Sequence, residues 1–242
     1  MSADTNGSER KELYLFAGEA LSRFESQFIL DIACGNGEGS RIISSLNPAA
    51  KIIGVDLDND LIQYAENHFK SSNVSFIQAD ALKLDFPNNN FTHAVCFHTI
   101  EHFNEQDQRL LLKELSRVLK PQSKLIIATP DRDVWTLQGI AGIQEDHIRE
   151  LNQKEFTGIL KEERFKNFNV FGQGILKSGN FAFRRLLNLL KRIDIFNFRR
   201  VLLGKSLDII NHKTQPITVN FKVQPLKGEE KASITVIVCD RP

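Results

Sequence analysis

The sequence predicts a doubly wound α/β fold, in which a mostly parallel sheet carries helices on both of its faces. Short apolar runs that predict strands alternate along the chain with longer segments of helical periodicity. The first of these strands, Phe28–Ile32, leads directly into three glycines at alternate positions, Gly35, Gly37 and Gly39. A strand followed by a tight glycine loop and then a helix is typical of parallel α/β sheets, and the sheet is predicted around this strand.

The composition is that of an ordinary globular protein, with 41% hydrophobic and 25% charged residues in a chain of 242. The formal net charge of +1 argues against a nucleic-acid partner, because such binding depends on many basic contacts to phosphates. Three widely spaced cysteines, Cys34, Cys96 and Cys239, predict neither a disulfide framework nor a zinc site. Without an apolar leader or an apolar run of about 18 residues, the expected location is the cytoplasm.

The glycine loop predicts a site for a nucleotide-like ligand. Residues without a Cβ atom allow the backbone to approach a ligand closely, and the helix that follows offers N–H groups. A dinucleotide site has the spacing G-x-G-x-x-G and holds a pyrophosphate, which Asp31 and Glu38 would repel here. The acidic end of the strand instead favours a positively charged cofactor. S-adenosylmethionine carries a sulfonium and an ammonium group and no phosphate.

The segment from Asp31 to Gly37 resembles the first motif of the class I S-adenosylmethionine-dependent methyltransferases, D/E-x-G/A-x-G-x-G. Asp31, Ala33, Gly35 and Gly37 match that motif in order. The resemblance implies a Rossmann-like fold, S-adenosylmethionine as the cofactor, and contacts from these four residues to it.

Two later strands are predicted to complete the cofactor site. Asp56 ends the second strand about twenty residues beyond the glycines, where a carboxylate can accept hydrogen bonds from both ribose hydroxyls, and Leu57 follows it. After the third strand, the sequence A-D-A resembles the family's third motif. The resemblance implies that Asp80 meets the adenine amino group and that the N–H of Ala81 meets a ring nitrogen. A simple helix cap is the alternative role for Asp80.

The fourth strand leads into the sequence H-T-I-E-H, where catalytic or substrate-facing residues lie in the resembling family. The spacing predicts His98 and His102 on one helical face, with Glu101 beside them. We assign His98 to the cofactor site and His102 to a base or substrate contact, with support of the cofactor loop as the alternative. No metal is expected, because no further Cys or Asp ligand follows at a characteristic spacing.

Further substrate contacts are predicted on the loop after the fifth strand and on the first helix. The H-x-R-E segment at His147 and Arg149 resembles the small-molecule branch of the family, which implies a general base and a substrate anchor. Ion pairs that order the loop are the alternative. Trp135 lies on the same loop, and Tyr14 lies on an amphipathic helix predicted at 9–24. Both are predicted substrate contacts, although Tyr14 could serve packing alone.

The chain is expected to be one methyltransferase domain over residues 1–242, with an insertion at 174–231 before the last strand. The resembling fold has seven strands, six parallel and the last antiparallel, and joins its last two strands by a short hairpin. Residues 181–205 contain seven basic side chains and one acidic one, together with leucines and phenylalanines. Such a segment is predicted to be either a lid that also pairs with a second subunit in a homodimer, or a helix that contacts an anionic membrane peripherally.

The resemblance implies methyl transfer from S-adenosylmethionine to a small-molecule or lipid-linked acceptor, and we expect the acceptor atom to be oxygen. The protein then mainly aligns the acceptor with the methyl group and removes a proton. Two other functions are weighed. One is a cofactor-binding but inert regulatory scaffold. The other is a nicotinamide-dependent oxidoreductase, which the loop spacing and Asp31 disfavour.

Overall fold

A computed structural model of the chain describes residues 3–25, 27–137, 146–176, 222–226 and 231–241. The strands in this part are β1 (Phe28–Ile32), β2 (Lys51–Asp56), β3 (Val74–Gln78), β4 (Phe91–Phe97), β5 (Leu119–Pro130), β6 (Lys166–Leu176), β7 (Gln224–Pro225) and β8 (Lys231–Asp240). The helices are α1 (Ala3–Leu21), α2 (Glu38–Leu46), α3 (Asn59–Phe69), α4 (Glu105–Val118), α5 (Arg132–Leu137) and α6 (Gln153–Glu162), with a 3₁₀ helix at Ile100–His102.

The described strands form one sheet in the order β3-β2-β1-β4-β5-β8-β6-β7. The five strands from β3 to β5 in that order pair in parallel, whereas β8 pairs antiparallel with both β5 and β6. Strand β6 therefore runs in the direction of the parallel set. The predicted sheet of six parallel strands and one antiparallel last strand is confirmed, and the structure adds the two-residue β7 at the edge.

The core consists of two apolar clusters, one on each face of the sheet. Successive side chains of a strand point to opposite faces, and β1 shows this clearly. Leu30 and Ile32 belong to the cluster that contains α4 and α6, whereas Ile29 belongs to the cluster that contains α1, α2 and α3. Asp31 points to the same face as Ile29. Its carboxylate therefore lies beneath α1 and α2.

The predicted insertion begins later than expected. Strand β6 continues to Leu176, which pairs with Lys231 at the start of β8, so the antiparallel ladder extends into the range predicted as insertion. β7 pairs with β6 at Gly172. Positions 177–221 and 227–230 lie outside the described residues, and with them the basic segment at 181–205. No helix within the described ranges is long and apolar enough to cross a membrane.

Candidate active site

A cavity of about 480 Å³ lies at the carboxyl ends of β1, β4 and β5, beneath the first helix. This volume is within the range of small-ligand sites, which is about 300–1,000 Å³. Its lining comes from three places: the first helix, the loop after β1, and the segments after β4 and β5. The lining includes the polar side chains of Glu9, Arg10, Lys11, Tyr14, His98, Glu101, His102 and His147.

Gly35 and Gly37 of the glycine loop are required for different reasons. Gly35 has a φ of 57° and an open side, where an added Cβ would meet only Arg10 Nη1 at 3.6 Å. Gly37 has a φ of 83°, and a Cβ there would lie 2.7 Å from Ala65 Cβ and from the ring of Phe76. Gly35 therefore leaves room for a ligand beside the cavity, whereas Gly37 lets α3 and β3 pack against the loop. Ala33 also adopts a left-handed conformation, with a φ of 54°.

Asp56 connects the end of β2 to the glycine loop. Its Oδ2 atom accepts a hydrogen bond of 2.8 Å from the N–H of Gly35, and its Oδ1 atom accepts one of 3.0 Å from the N–H of Asp58. The side chain is half-buried, and each oxygen keeps a further lone pair. The predicted contact with two ribose hydroxyls is compatible with this geometry, and it stays a prediction.

The segments after β2 and β3 carry the remaining predicted cofactor residues. Leu57 is exposed, and its carbonyl accepts a hydrogen bond of 3.1 Å from Gln78 Nε2. Asp80 is exposed and accepts a hydrogen bond of 2.8 Å from the N–H of Leu82, within a turn rather than at the start of an α-helix. Ala81 is half-buried. These residues border the cavity at the neighbouring strand ends and do not line it.

Asp31 is completely buried and does not line the cavity. The Tyr14 hydroxyl donates a hydrogen bond of 3.1 Å to Oδ1, and the Ser40 hydroxyl donates one of 2.6 Å to Oδ2. Burial raises the pKa of Asp31 to about 7, although both hydrogen bonds and the charge of Arg10 lower it. Asp31 therefore joins α1 and α2 to the end of β1, and direct contact with a cofactor stays a prediction.

Tyr14 packs in the core and also lines the cavity, so the packing role is observed and the contact with substrate stays a prediction. Its ring is 4% exposed and meets Phe97 edge-on, with 5.1 Å between the ring centroids. The helix neighbours Glu9, Arg10 and Lys11 also line the cavity, although no motif in the sequence points to them. Arg10 lies one helical turn before Tyr14, so the predicted helical periodicity could have placed it on the same face.

The expected arrangement of His98 and His102 on one α-helix is wrong. His98 has a left-handed conformation with a φ of 51°, and only a single 3₁₀ turn, Ile100–His102, follows it. The N–H of His98 donates a hydrogen bond of 3.0 Å to the carbonyl of Ala128, which continues the pairing of β4 with β5 beyond the strand end. This turn directs His98 into the cavity and brings Glu101 close to it.

Glu101 is buried at the base of the cavity. Its Oε2 atom accepts a hydrogen bond of 3.0 Å from the Thr129 hydroxyl, and His98 Nδ1 lies 3.5 Å from Oε1. Among the described residues, Oε1 has no hydrogen-bond partner. Burial raises the pKa of Glu101, but the contacts with His98, its own backbone N–H and Thr129 together hold the pKa below its usual range. The carboxylate is therefore charged at neutral pH.

His102 and His147 meet beside Glu101, although they lie 45 positions apart in the sequence. Their ring centroids are 5.1 Å apart and their planes are nearly perpendicular. His102 Nδ1 lies 2.9 Å from the carbonyl oxygen of Asp146, and His147 Nδ1 lies 2.7 Å from Glu150 Oε1. Both partners are acceptors, which assigns the ring proton to Nδ1 in each case. The Nε2 atom of each ring therefore keeps its lone pair.

Backbone hydrogen bonds fix the loop that carries His147. The N–H groups of Ile148 and Arg149 donate to the carbonyl of Glu101 at 2.9 and 3.0 Å. The Arg149 guanidinium bonds to Gln108 and lies 3.7 Å from Glu105 Oε2, outside the cavity lining. This geometry favours the loop-ordering role for Arg149 over the substrate anchor. Trp135 lies in α5, and its side chain falls outside the described part of the structure.

Solved structures share this fold. A protein from Thermotoga maritima, described as a SAM-dependent methyltransferase and "possible histamine N-methyltransferase", aligns with a TM-score of 0.61 at 16% identity. The alignment covers 95% of this chain and 88% of that protein. At this identity the likeness establishes the fold alone. The fold is the Rossmann-like α/β fold of such solved S-adenosylmethionine-dependent methyltransferases.

The sequence comparisons agree with that class. Residues 29–122 match a family model described as a methyltransferase domain. A "Probable S-adenosylmethionine-dependent methyltransferase" from Mycobacterium tuberculosis is 29% identical over 150 residues, which cover 62% of this chain and 53% of that protein. An O-methyltransferase from Aspergillus nomiae is 33% identical over 115 residues, covering 46% of this chain and 50% of that protein. The chain thus spans about half the length of these relatives, and its residues 29–122 carry the match to the methyltransferase domain. Together the comparisons imply S-adenosylmethionine as the cofactor.

Proposed function

We propose that this chain transfers a methyl group from S-adenosylmethionine to a hydroxyl oxygen of a small-molecule or lipid-linked acceptor. The observation that carries the proposal is the pair of His102 and His147, which line the cavity and whose Nδ1 hydrogen bonds leave Nε2 unprotonated. A hydroxyl acceptor must lose its proton when the oxygen becomes methylated, and an imidazole is a suitable base at neutral pH.

The cavity fits the cofactor in size and in the distribution of charge. Arg10 lies beside Gly35 and would hold a carboxylate, such as that of the methionine portion. Glu9 and Glu101 lie near His98 and provide negative charge for a cationic ligand. S-adenosylmethionine supplies an activated methyl group, because its sulfonium is a good leaving group. The protein therefore needs to bind, align and deprotonate the acceptor, and the lining groups are suited to these tasks.

His147 is the better candidate for the base. Its side chain is 6% exposed and bonds to the carboxylate of Glu150, which is itself 7% exposed. This carboxylate orients the ring and stabilises the imidazolium that would form when Nε2 takes the acceptor proton. His102 is half-exposed, and its Nδ1 bonds to the carbonyl of Asp146 and lies 3.8 Å from the Asp146 carboxylate. That carboxylate is exposed and more distant, so it balances a positive charge less well than the buried Glu150 does for His147.

The choice of oxygen as the acceptor atom rests on this base. A neutral amine attacks through its own lone pair, whereas a hydroxyl gains most from a group that removes its proton. The O-methyltransferase from Aspergillus nomiae agrees with oxygen, and the description of the Thermotoga maritima protein names nitrogen as the acceptor. We also propose that the protein acts in the cytoplasm, where reducing conditions keep the three buried cysteines as free thiols.

The experiment is label transfer from methyl-labelled S-adenosylmethionine into a small-molecule extract, followed by kinetics on the acceptor found. His147→Asn should lower turnover by about 10² to 10⁴ fold at neutral pH with cofactor affinity retained, because the base is lost. His68→Asn, on an exposed face of α3, is the matched control and should keep full turnover.

Label transfer, together with cofactor binding, also distinguishes methyl transfer from the alternative functions. Single variants at His147 and His102 that both keep the full rate would exclude a histidine base. Tight S-adenosylmethionine binding without label transfer would indicate the inert scaffold. Binding of a nicotinamide dinucleotide in place of S-adenosylmethionine would indicate the oxidoreductase.

A further inference from the structure

We propose that Glu101, His102 and His147 form a binding site for a divalent transition-metal ion of the zinc type at the base of the cavity. The site goes beyond the proposed methyl transfer, and metal binding can be measured without any activity. Two imidazoles and one carboxylate that leave a position open are the ligand set of catalytic zinc sites.

The distances allow such a site after a small closure. One potential ligand atom from each of the three side chains lies within 4.8 Å of the others. A tetrahedral zinc ion with bonds of about 2.0–2.2 Å holds its ligand atoms about 3.5 Å apart. The side chains would therefore need to approach one another by about 1 Å, which rotations about their χ angles can supply.

The hydrogen bonds of the two histidines are those expected of metal ligands. A histidine that binds a metal usually donates its other ring N–H to a carboxylate or a backbone carbonyl, which fixes its tautomer and its orientation. His147 has the carboxylate of Glu150 in this position, and His102 has the carbonyl of Asp146. Both rings are therefore already held with Nε2 available to a cation.

Glu101 gives a second, independent indication. Its side chain is completely buried, and its Oε1 atom accepts no hydrogen bond from any residue in the described ranges. His98 Nδ1 lies 3.5 Å from Oε1, but no hydrogen bond joins the two atoms. A buried carboxylate oxygen that accepts no hydrogen bond is costly, and a cation bound there would satisfy it. The same carboxylate lines the cavity together with the two histidines.

The sequence did not predict this site because the third ligand comes from a distant loop. The spacing of His98, Glu101 and His102 predicts a helical cluster without further metal ligands. The structure turns His98 into a left-handed conformation and brings His147 to Glu101 and His102 through the hydrogen bonds of Ile148 and Arg149 to the carbonyl of Glu101. The expectation of no metal therefore rested on an incomplete set of neighbours.

A bound cation would change how the acceptor hydroxyl loses its proton. All three side chains line the cavity, so an acceptor hydroxyl bound there could reach the ion, which would lower the pKa of that hydroxyl and so release its proton to solvent. With both Nε2 atoms bound to the ion, neither histidine could act as the base. The metal-loaded and metal-free proteins should then differ in the pH dependence of turnover.

The test is metal binding to the full chain after treatment with a chelator. Titration with Zn²⁺ by calorimetry should give one ion per chain, and Co²⁺ in the same site should give visible absorption bands. His147→Asn and Glu101→Gln should each weaken Zn²⁺ binding by on the order of 100-fold or more, because a ligand is lost. Glu150→Gln should weaken binding by about 10- to 100-fold, because it only orients His147.

His68→Asn is the matched control and should bind Zn²⁺ as tightly as the unchanged chain. His102→Asn replaces Glu101→Gln if the latter fails to fold, because His102 is half-exposed. Absence of Zn²⁺ binding, or equal affinity in His147→Asn, would overturn the site. Label transfer from S-adenosylmethionine, measured on the same sample, distinguishes this outcome from failure of the proposed methyl transfer.

Discussion

At the scale of single residues, we expect the cofactor site to depend most on Asp56. Its two carboxylate oxygens accept hydrogen bonds from the N–H groups of Gly35 and Asp58, so Asp56 orders the glycine loop before any ligand binds. The same oxygens retain lone pairs for the two ribose hydroxyls. One carboxylate can therefore both order the loop and hold the nucleoside.

Asp56→Ala should weaken S-adenosylmethionine binding by about 2 to 4 kcal/mol, because two charge-assisted hydrogen bonds to the ribose are lost. Isothermal calorimetry on the folded variant measures the loss. Asp58→Ala is the control: Asp58 caps α3 by accepting from the N–H groups of Asp60 and Leu61, so its removal should lower stability and leave affinity unchanged. Unchanged affinity in Asp56→Ala would exclude the ribose role.

Asp31 predicts a pH dependence of stability. Its pKa is raised from 3.8 to about 7 in the folded protein, so the folded state holds a proton that the unfolded chain releases near pH 4. The stability from this proton is complete below the unfolded pKa and is lost as pH rises through 7. Each pKa unit corresponds to about 1.4 kcal/mol, so the free energy of unfolding should fall by roughly 2 to 3 kcal/mol between pH 5 and pH 8.

Asp31→Asn isolates this contribution. Asparagine has no proton to lose, so the variant's free energy of unfolding should change much less over the same pH range. Urea unfolding of both proteins at several pH values measures the difference. Parallel pH profiles for the two proteins would show that Asp31 is charged in the folded state at neutral pH.

At the scale of elements, the contact between α1 and α2 decides how the first helix covers the cavity. Gly39 in α2 lies directly beneath Tyr14 of α1, and a Cβ at Gly39 would lie 2.1 Å from Tyr14 Cζ. The Tyr14 hydroxyl then reaches Asp31 below it. The absence of a side chain at Gly39 thus allows the two helices to approach and places Tyr14 and Arg10 at the cavity.

Gly39→Ala should lower the free energy of unfolding by about 1 to 3 kcal/mol, because the new methyl group displaces the Tyr14 ring. Cofactor affinity should fall with it, since α1 carries part of the cavity lining. Gly158→Ala in α6 is the control, where an added Cβ meets nothing within 4 Å. That change should be neutral or raise stability by about 0.4 to 1 kcal/mol. Equal unfolding free energies in the two variants would refute the steric argument.

At the scale of the whole molecule, the parallel strands place all their carboxyl ends on one edge, and the cavity lies there. The chain returns from β6 to β8 through residues that include the basic segment 181–205, which lies outside the described ranges. We keep both proposals for this segment, a lid that also pairs with a second subunit and a helix on an anionic membrane.

Sedimentation with vesicles that contain anionic phospholipid tests the membrane proposal. Each basic residue near such a surface contributes about 1 kcal/mol, so binding should weaken as salt is raised. Replacing Arg184, Arg185, Lys191 and Arg192 by Glu should abolish it, whereas Glu replacements at Lys113 and Lys120, which the structure describes as exposed, should not. No vesicle binding, with turnover lost on deletion of 181–205, would leave the lid.

The sequence by itself determined the fold and the cofactor class, because both depend on local signals. Strand and helix periodicities are local, and so is the spacing of Asp31, Gly35 and Gly37 after β1. The same regular alternation of strands and helices places Asp56 at the end of the second strand. These features predict the succession of strands and helices and the parallel sheet without knowledge of distant contacts.

Only the tertiary structure decided what the residues at the far end of the cavity can do. The left-handed turn at His98 separates it from His102, and backbone hydrogen bonds bring His147 to Glu101 across 46 positions of sequence. Burial raises the pKa of Asp31, and close packing, rather than a ligand, requires Gly37 and Gly39. Each of these outcomes depends on which distant segments come into contact, and side-chain spacing along the chain carries no record of that.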